Sequence, residues 1–326
     1  MTIPETESLQ GNFGSMDFNI NVLDESEKVI FTLRTLYHER GYERYRMSKF
    51  EEYDLYSRNK DFLVSDQVIT FTDTNGRLMA LKPDVTLSII KNNKDNPEQL
   101  KKLYYNENVY RVAKGSQSFR EIMQAGLECF GAVDHNTLSE VLELAALSLS
   151  AVSDDYVLEV SDLTILSALI EAVPVPRDVK KELIKCFSEK NRHGVRAICE
   201  AKDVDPAYAR DLIRLLELYG SPDTVIAGLR TLCRENDQYE GLAEEVERLD
   251  SVVSAFRGSA CWDHILIDFS LVSDMNYYNG IIFRGFIAGI PDSVLSGGQY
   301  DKLMQKLGRK SGAVGFAVYL DQLERM

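Results

Sequence analysis

Five cysteines and four histidines are the first residues to test for chemistry, because thiolates and imidazoles bind metals and act as nucleophiles or bases. Cys129, Cys186, Cys199, Cys233 and Cys261 contain no CxxC pair, and none stands at ligand spacing from His38, His135, His193 or His264. No metal site, disulfide framework or cofactor is expected, and unpaired thiols fit a reduced cytoplasm. The histidines are isolated and read as structural or exposed. Gly297-Gly298 has the residue type of a phosphate cradle, but with neither GxxxxGK[ST] nor a strand-GxGxxG-helix context the pair reads as a turn. Lys302, Lys306, Arg309 and Lys310 form a basic run of the kind that meets nucleic acid, against which stands the plainer reading of a solvated helix face.

The whole chain of 326 residues is long enough for one large core or two modest ones, and 44% hydrophobic residues with 27% charged is ordinary globular usage. Lys+Arg 37 against Asp+Glu 51 gives a formal charge of -14, which repels polyanions, so nucleic acid is not an expected partner. No stretch of about 18 apolar residues exists. The start, MTIPETESLQGNFGSM, lacks the basic and apolar regions of a signal peptide, so neither membrane nor export is expected.

Residues 1–23 are polar with scattered glycine and read as a mobile or docking arm. A helix is predicted from Asp24, with Val29, Ile30, Leu33, Leu36 and Tyr37 on one face and Gly41 as its stop. The β-type runs Val68–Thr72 and Arg77–Leu81 flank Asn75-Gly76, the dipeptide that tolerates the positive φ of a hairpin turn. More β-type sequence covers about 102–112 and 119–132, followed by a helix over Thr137–Ala151 and a strand near 155–161. Strands in succession without helical crossovers predict an antiparallel sheet, and so an α+β class. Between 173 and 256 helix follows helix. Val179, Leu183, Cys186 and Phe187 share a face, Asp205-Pro206 and Ser221-Pro222 place capping residues before proline, and Leu242, Val246, Leu249, Val253 and Phe256 make an apolar seam. Strand patterns resume at His264–Phe269 and Gly280–Phe283. The expected organisation is a core of 24–172 and 257–326, discontinuous in the chain, interrupted by a helical insertion at 173–256.

Four segments, in order, resemble the catalytic core of the histidyl-tRNA synthetase family. Leu81-Lys82-Pro83-Asp84-Val85-Thr86, directly after the hairpin, is similar to "LRPEGT". Tyr110-Arg111 through Gln124-Ala125-Gly126-Leu127-Glu128 is similar to the motif 2 hairpin that ends in "HQxGxE". Met275-Asn276-Tyr277-Tyr278-Asn279-Gly280-Ile281-Ile282-Phe283 resembles "LDYYTGTVFE", and Ser296–Leu303 with Ala313–Ala317 resembles "GGGRYDGL" and "AVGFA" of motif 3. The resemblance spans about 25–320. It implies a class II synthetase-like antiparallel sheet flanked by helices, with the helical insertion and without the anticodon-binding domain by which synthetases choose a tRNA.

The departures fall where the family binds ATP. Arg111 stands at the first motif 2 arginine, but Ala113 replaces the acidic residue after it, and Ser118 occupies the position of the phosphate-binding arginine. Ser273-Asp274 stands for the "RG" before "LDYY", Gln299 for the arginine of "GGGRYD", and Tyr319-Leu320-Asp321-Gln322-Leu323 for "GLERL". Arginine grips phosphates through its fixed fork, and losing one preorganised donor costs about a hundred- to a thousandfold in rate. Four such losses predict no adenylation, unless Arg120 and Arg325 substitute.

The positions that resemble the amino-acid pocket are kept. An ammonium wants carboxylate and neutral acceptors, which Asp84, Thr86 and Gln124 supply, although Asp84 is one methylene shorter than the family glutamate. An imidazole needs polar partners and flat surfaces, which Glu128, Tyr277 and Tyr278 supply. Taken singly, Gln124 and Glu128 would pass for sheet residues facing water, and the tyrosines for core. With Arg111 these residues form the expected histidine-binding set. A synthetase core without ATP arginines resembles the family of ATP phosphoribosyltransferase regulatory subunits. That resemblance implies a non-catalytic subunit of histidine biosynthesis that binds free histidine as feedback effector, joins a short catalytic phosphoribosyltransferase chain in a hetero-oligomer, and forms a homodimer through the core. Two rival readings are an amino-acid-activating synthetase relative serving a non-tRNA carrier, and a regulator that binds a tRNA mimic.

Overall fold

A computed structural model describes residues 22–59, 63, 68–112, 118–235, 239, 241–272 and 277–325. The arm expected over 1–23 lies outside them apart from its last two positions.

Helix α1 (Glu25–Glu39) starts where the Asp24 carboxylate accepts the Glu27 N–H and the Glu27 carboxylate accepts the Asp24 N–H, a reciprocal cap. It buries Ile30, Leu33 and Tyr37 and half-buries Val29 and Leu36, the face its spacing predicts. Then come β1 (Glu43–Arg44), β2 (Phe50–Glu52), α2 (Tyr53–Ser57), β3 (Thr70–Thr72) and β4 (Leu78–Leu81). Strands β3 and β4 pair antiparallel around Asn75-Gly76 as expected, with Gly76 at φ 78° and the Asp73 carboxylate accepting the N–H groups of Asn75 and Arg77.

Helix α3 (Thr86–Asn92) leads into β5 (Lys101–Val112), β6 (Phe119–Gly131), α4 (His135–Ser150), β7 (Tyr156–Asp162) and α5 (Leu163–Ala172). Helices α6 (Arg177–Ser188), α7 (Arg192–Ala201) and α8 (Pro206–Glu217) follow, then the two-residue β8 (Tyr219–Gly220), α9 (Pro222–Glu235) and α10 (Leu242–Ser254). The chain returns to strands with β9 (Ile265–Asp268), β10 (Ile281–Ile287), β11 (Leu295–Gln299), α11 (Asp301–Lys306) and β12 (Gly312–Tyr319). The Asp205 carboxylate caps α8 by accepting the Ala207 N–H, with Pro206 in the first turn.

Nine strands form one sheet in the order β1-β5-β6-β12-β11-β10-β7-β9-β8, and β2-β4-β3 form a second, small sheet. All pairs in the large sheet are antiparallel except β1 with β5 and β7 with β9. This is the α+β architecture expected, a large sheet flanked by helices.

Period-2 alternation gives the large sheet two distinct faces. On β6, Ala125, Leu127 and Cys129 join α1, α4 and the residues of α5 to α10 in one apolar core, and the seam residues Leu242, Val246, Leu249, Val253 and Phe256 lie buried in it. Phe130 on the opposite face joins Leu103, Tyr105 and Val109 of β5 in a second core, closed by Val85, Leu87 and Ile89 below the small sheet and by Leu303 and Met304 of α11. A Cβ on Gly285 of β10 would come within 2.5 Å of the Leu149 side chain, so the absence of a side chain there lets α4 seat against the sheet.

Two local expectations are corrected. Gly297-Gly298 is not a turn but the middle of strand β11, where a Cβ on Gly297 would meet the Gly315 carbonyl of the neighbouring strand at 2.5 Å; close strand approach, not chain reversal, requires glycine. The basic run is only partly a helix face, because α11 ends at Lys306. Arg309 lies beyond it and donates to the Ile90 carbonyl at 3.0 Å, tying this segment to α3.

Candidate ligand-binding site

The second face of the sheet carries a cavity of about 550 Å³, and Asp84, Thr86, Arg111, Gln124, Glu128, Tyr277 and Tyr278 all line it. Four stretches of chain bring them together. Asp84 precedes α3, and its carboxylate accepts the Leu87 N–H at 2.9 Å, capping the helix on which Thr86 is the first residue. Gln124 and Glu128 lie four positions apart on β6 and so share a face, while Arg111 comes from the far end of β5. Tyr277 and Tyr278 come from the segment before β10, their ring centroids 4.5 Å apart.

Glu128 is the centre of the arrangement. Only 2% exposed, it accepts hydrogen bonds from the Thr86 hydroxyl at 2.6 Å and the Tyr300 hydroxyl at 2.5 Å. Removal from water pushes its pKa up to about 8; the two hydroxyls pull it down, and the nearby Asp84 carboxylate adds to the rise. A water-facing sheet position is thereby excluded for Glu128, and equally for the buried Gln124. Asp84 is also held above its ordinary value by burial, opposed by the Leu87 N–H and the Arg111 charge. Two carboxyl groups with raised pKa in one cavity suit a ligand nitrogen in either state: protonated they donate to a neutral nitrogen, and ionised they accept from a cationic one.

Glycine makes room for Glu128. A Cβ on Gly315 of β12, directly across from Glu128, would stand 1.9 Å from its Oε2. The "AVGFA"-like segment therefore serves the cavity by its lack of a side chain.

Tyr105, Arg284, Ser296, Tyr300 and Tyr319 line the cavity without having been singled out in the sequence. Tyr300 sits inside the "GGGRYD"-like string, so its signal was present. Tyr105 and Tyr319 reach the cavity through register, Tyr105 facing Gly126 and Tyr319 facing Gln124. The Tyr319 and Ser296 hydroxyls meet at 2.5 Å.

Among the described residues, Arg111 and Arg284 are the arginines of the cavity, and no lysine lines it. Arg111 donates its Nε–H to the Pro83 carbonyl at 3.0 Å. Gln299 does not line the cavity; its Oε1 accepts the Ile281 N–H at 3.0 Å and lies 3.4 Å from Arg248 of α10. Arg248 in turn is tied to the fully buried Asp162 at 2.6 Å and to Glu245. Arg120, in register with Arg111, is exposed and does not line the cavity. Ser273, Asp274, Ala113 and the side chain of Arg325 lie outside the described residues. No group of three or more potential metal ligands occurs among the described residues, and no described helix is long and apolar enough to cross a membrane.

A family model described as histidyl-tRNA synthetase matches residues 16–323. The ATP phosphoribosyltransferase regulatory subunit of Alkaliphilus metalliredigens is 29% identical over 293 residues, covering 87% of this chain and 72% of that protein. Among solved structures, one from Bacillus halodurans described as ATP phosphoribosyltransferase regulatory subunit/histidyl-tRNA synthetase superposes with a TM-score of 0.80 at 22% identity, over 97% of this chain and 83% of the other. A chain of the Thermotoga maritima ATP phosphoribosyltransferase complex, HisG:HisZ, superposes with a TM-score of 0.70 at 19% identity, over 93% and 98%. These two likenesses speak for the fold.

Proposed function

The chain belongs to the histidyl-tRNA synthetase family, and from that premise we propose that it is the non-catalytic regulatory subunit of ATP phosphoribosyltransferase and binds free histidine in the cavity beside Glu128. The observation that carries this reading is a division between the cavity lining and the arginine positions of the strings. The side-chain types suited to an amino acid's ammonium and imidazole line the cavity together, whereas four positions that hold arginine in the synthetase strings carry Ser118, Ser273, Gln299 and Gln322. The names borne by the curated relatives support the regulatory role.

In this reading the subunit assembles with a short catalytic phosphoribosyltransferase chain in the cytoplasm and pairs with a second copy of itself through the sheet core. Feedback is linkage. Histidine that binds a less active quaternary state better than an active one shifts the assembly toward the former by that difference in affinity. Glu128, carrying its proton near neutrality, is suited to donate a hydrogen bond to a neutral imidazole nitrogen, and once ionised to accept one.

The test is reconstitution. Mixing the chain with the short catalytic subunit should raise phosphoribosyl transfer to ATP, and added histidine should suppress it, with calorimetry on the subunit giving the affinity. No stimulation and no histidine binding at millimolar concentration would remove the proposal. Arg111, kept in the cavity, is the one observation favouring an adenylating relative, and pyrophosphate exchange with ATP above background would revive that reading.

A further inference from the structure

We infer that Arg284 is the anion anchor of the cavity and takes the carboxylate of a free amino acid, a role that rests on the proposed amino-acid sensing and sharpens it. Alternation places the side chain. Gly285 faces α4, so Arg284, its neighbour on β10, faces the cavity, as its place in the cavity wall requires. Register then builds a row across five strands: Arg284 opposite Ser296, Ser296 opposite Ala317, Ala317 opposite Gly126, and Gly126 opposite Tyr105. The middle of that row is made of small residues, which leaves the floor open between the arginine at one end and the tyrosine ring at the other.

The half-buried guanidinium of Arg284 makes no hydrogen bond or ion pair with any described residue. Of the other partly buried arginines, Arg111 is engaged with the Pro83 carbonyl and Arg248 with Asp162 and Glu245, while Arg34, on α1 in the opposite core, leaves its buried Nε unpartnered but does not line the cavity. On its outer side Arg284 stands in register with Glu159, close enough for the charges to interact but beyond ion-pair distance. A guanidinium that lines a cavity and has no hydrogen-bonded or ion-paired partner among the described residues offers a fork of donors to a planar two-oxygen anion.

The sign of the charge supports the assignment. The string "LDYYTGTVFE", laid on Met275–Phe283, puts its final glutamate at Arg284, while the arginine before that string has become Ser273. In the sequence one cationic position before the string is lost and another appears at its end, and the gained one lines the cavity. The span also fits: β10 lies three strands from β6, roughly 14 Å at the usual strand spacing. An amino acid of histidine's length, with its ring at Glu128, leaves its carboxylate within reach of an arginine on β10.

Calorimetry of the full chain with histidine and with histidinol, which carries an alcohol in place of the carboxylate, tests this. The wild-type chain should prefer histidine by on the order of tenfold to a hundredfold, the range of a charge-assisted hydrogen bond. Arg284→Gln should lose that preference by weakening histidine alone, and unchanged histidinol binding reports that the cavity is intact. Arg284→Lys should keep part of the preference. If Arg284→Gln discriminates as well as the wild type, the carboxylate is held elsewhere and the assignment is overturned while sensing stands. If both variants lose both ligands alike, Arg284 shapes the fold rather than the ligand site, and the assignment is again overturned. If the wild type binds no histidine, the sensing reading fails and this role with it. Inorganic phosphate, as a competing anion, should weaken histidine binding in the wild type and not in Arg284→Gln; equal competition in both places the anion site elsewhere and overturns the assignment.

Discussion

Replacing Glu128 with glutamine should make the protein more stable at alkaline pH while leaving it unchanged near pH 4. In the folded chain the buried Glu128 keeps its proton up to about pH 8, whereas in the unfolded chain it releases it near the ordinary value of 4.5. Between those two values the native state holds more protons than the unfolded one, so this group's contribution to stability is full below 4.5 and is lost as pH rises to about 8. At about 1.4 kcal/mol per pH unit, the window from 4.5 to about 8 amounts to about 5 kcal/mol at most. Urea titrations of wild type and Glu128→Gln at intervals from pH 4.5 to 9 measure the difference directly, because every other carboxylate is common to both chains. The advantage of the glutamine chain should grow with pH and level off above 8. Parallel stability curves across that range would show that Glu128 titrates normally, and the account of its burial would be wrong.

Thr86→Val removes the hydroxyl that donates to Glu128 at 2.6 Å and should cost about 1–3 kcal/mol above pH 8, where the carboxylate is charged, and less near pH 5; the same urea titrations read it. Gly315→Ala drives a methyl into Glu128 and the Leu127 carbonyl, so a loss of about 1–3 kcal/mol or more, seen as a lower melting temperature, is expected even though alanine is apolar and small. Arg248→Met leaves the fully buried Asp162 without its cation and should cost about 3–5 kcal/mol in equilibrium unfolding, whereas Arg257→Met, at the exposed Asp223 pair, should cost under about 1 kcal/mol. Ser273→Arg alone should restore no pyrophosphate exchange, since Ser118, Gln299 and Gln322 stay neutral; exchange above background in that variant would refute the view that several cationic positions are missing together.

The amino-acid sequence by itself determined the α+β class, the first helix from Asp24, the Asn75-Gly76 hairpin, the succession of helices and the pocket residue types, because each is signalled within a few consecutive residues. Caps, turn dipeptides and periodicity are local physics. The ordered strings also pointed to Asp84, Thr86, Arg111, Gln124, Glu128, Tyr277 and Tyr278, which the fold gathers around one cavity. What only the tertiary structure decided is register and burial. Tyr300 donates to Glu128 across 172 positions, and Arg284 reaches the cavity through the pairing of five strands. Gly297-Gly298, read locally, makes a turn; between β10 and β12 it is strand, because a neighbouring backbone needs the space. The proton on Glu128 near neutral pH follows from the exclusion of water by residues distant in the chain, a property no short window of sequence contains.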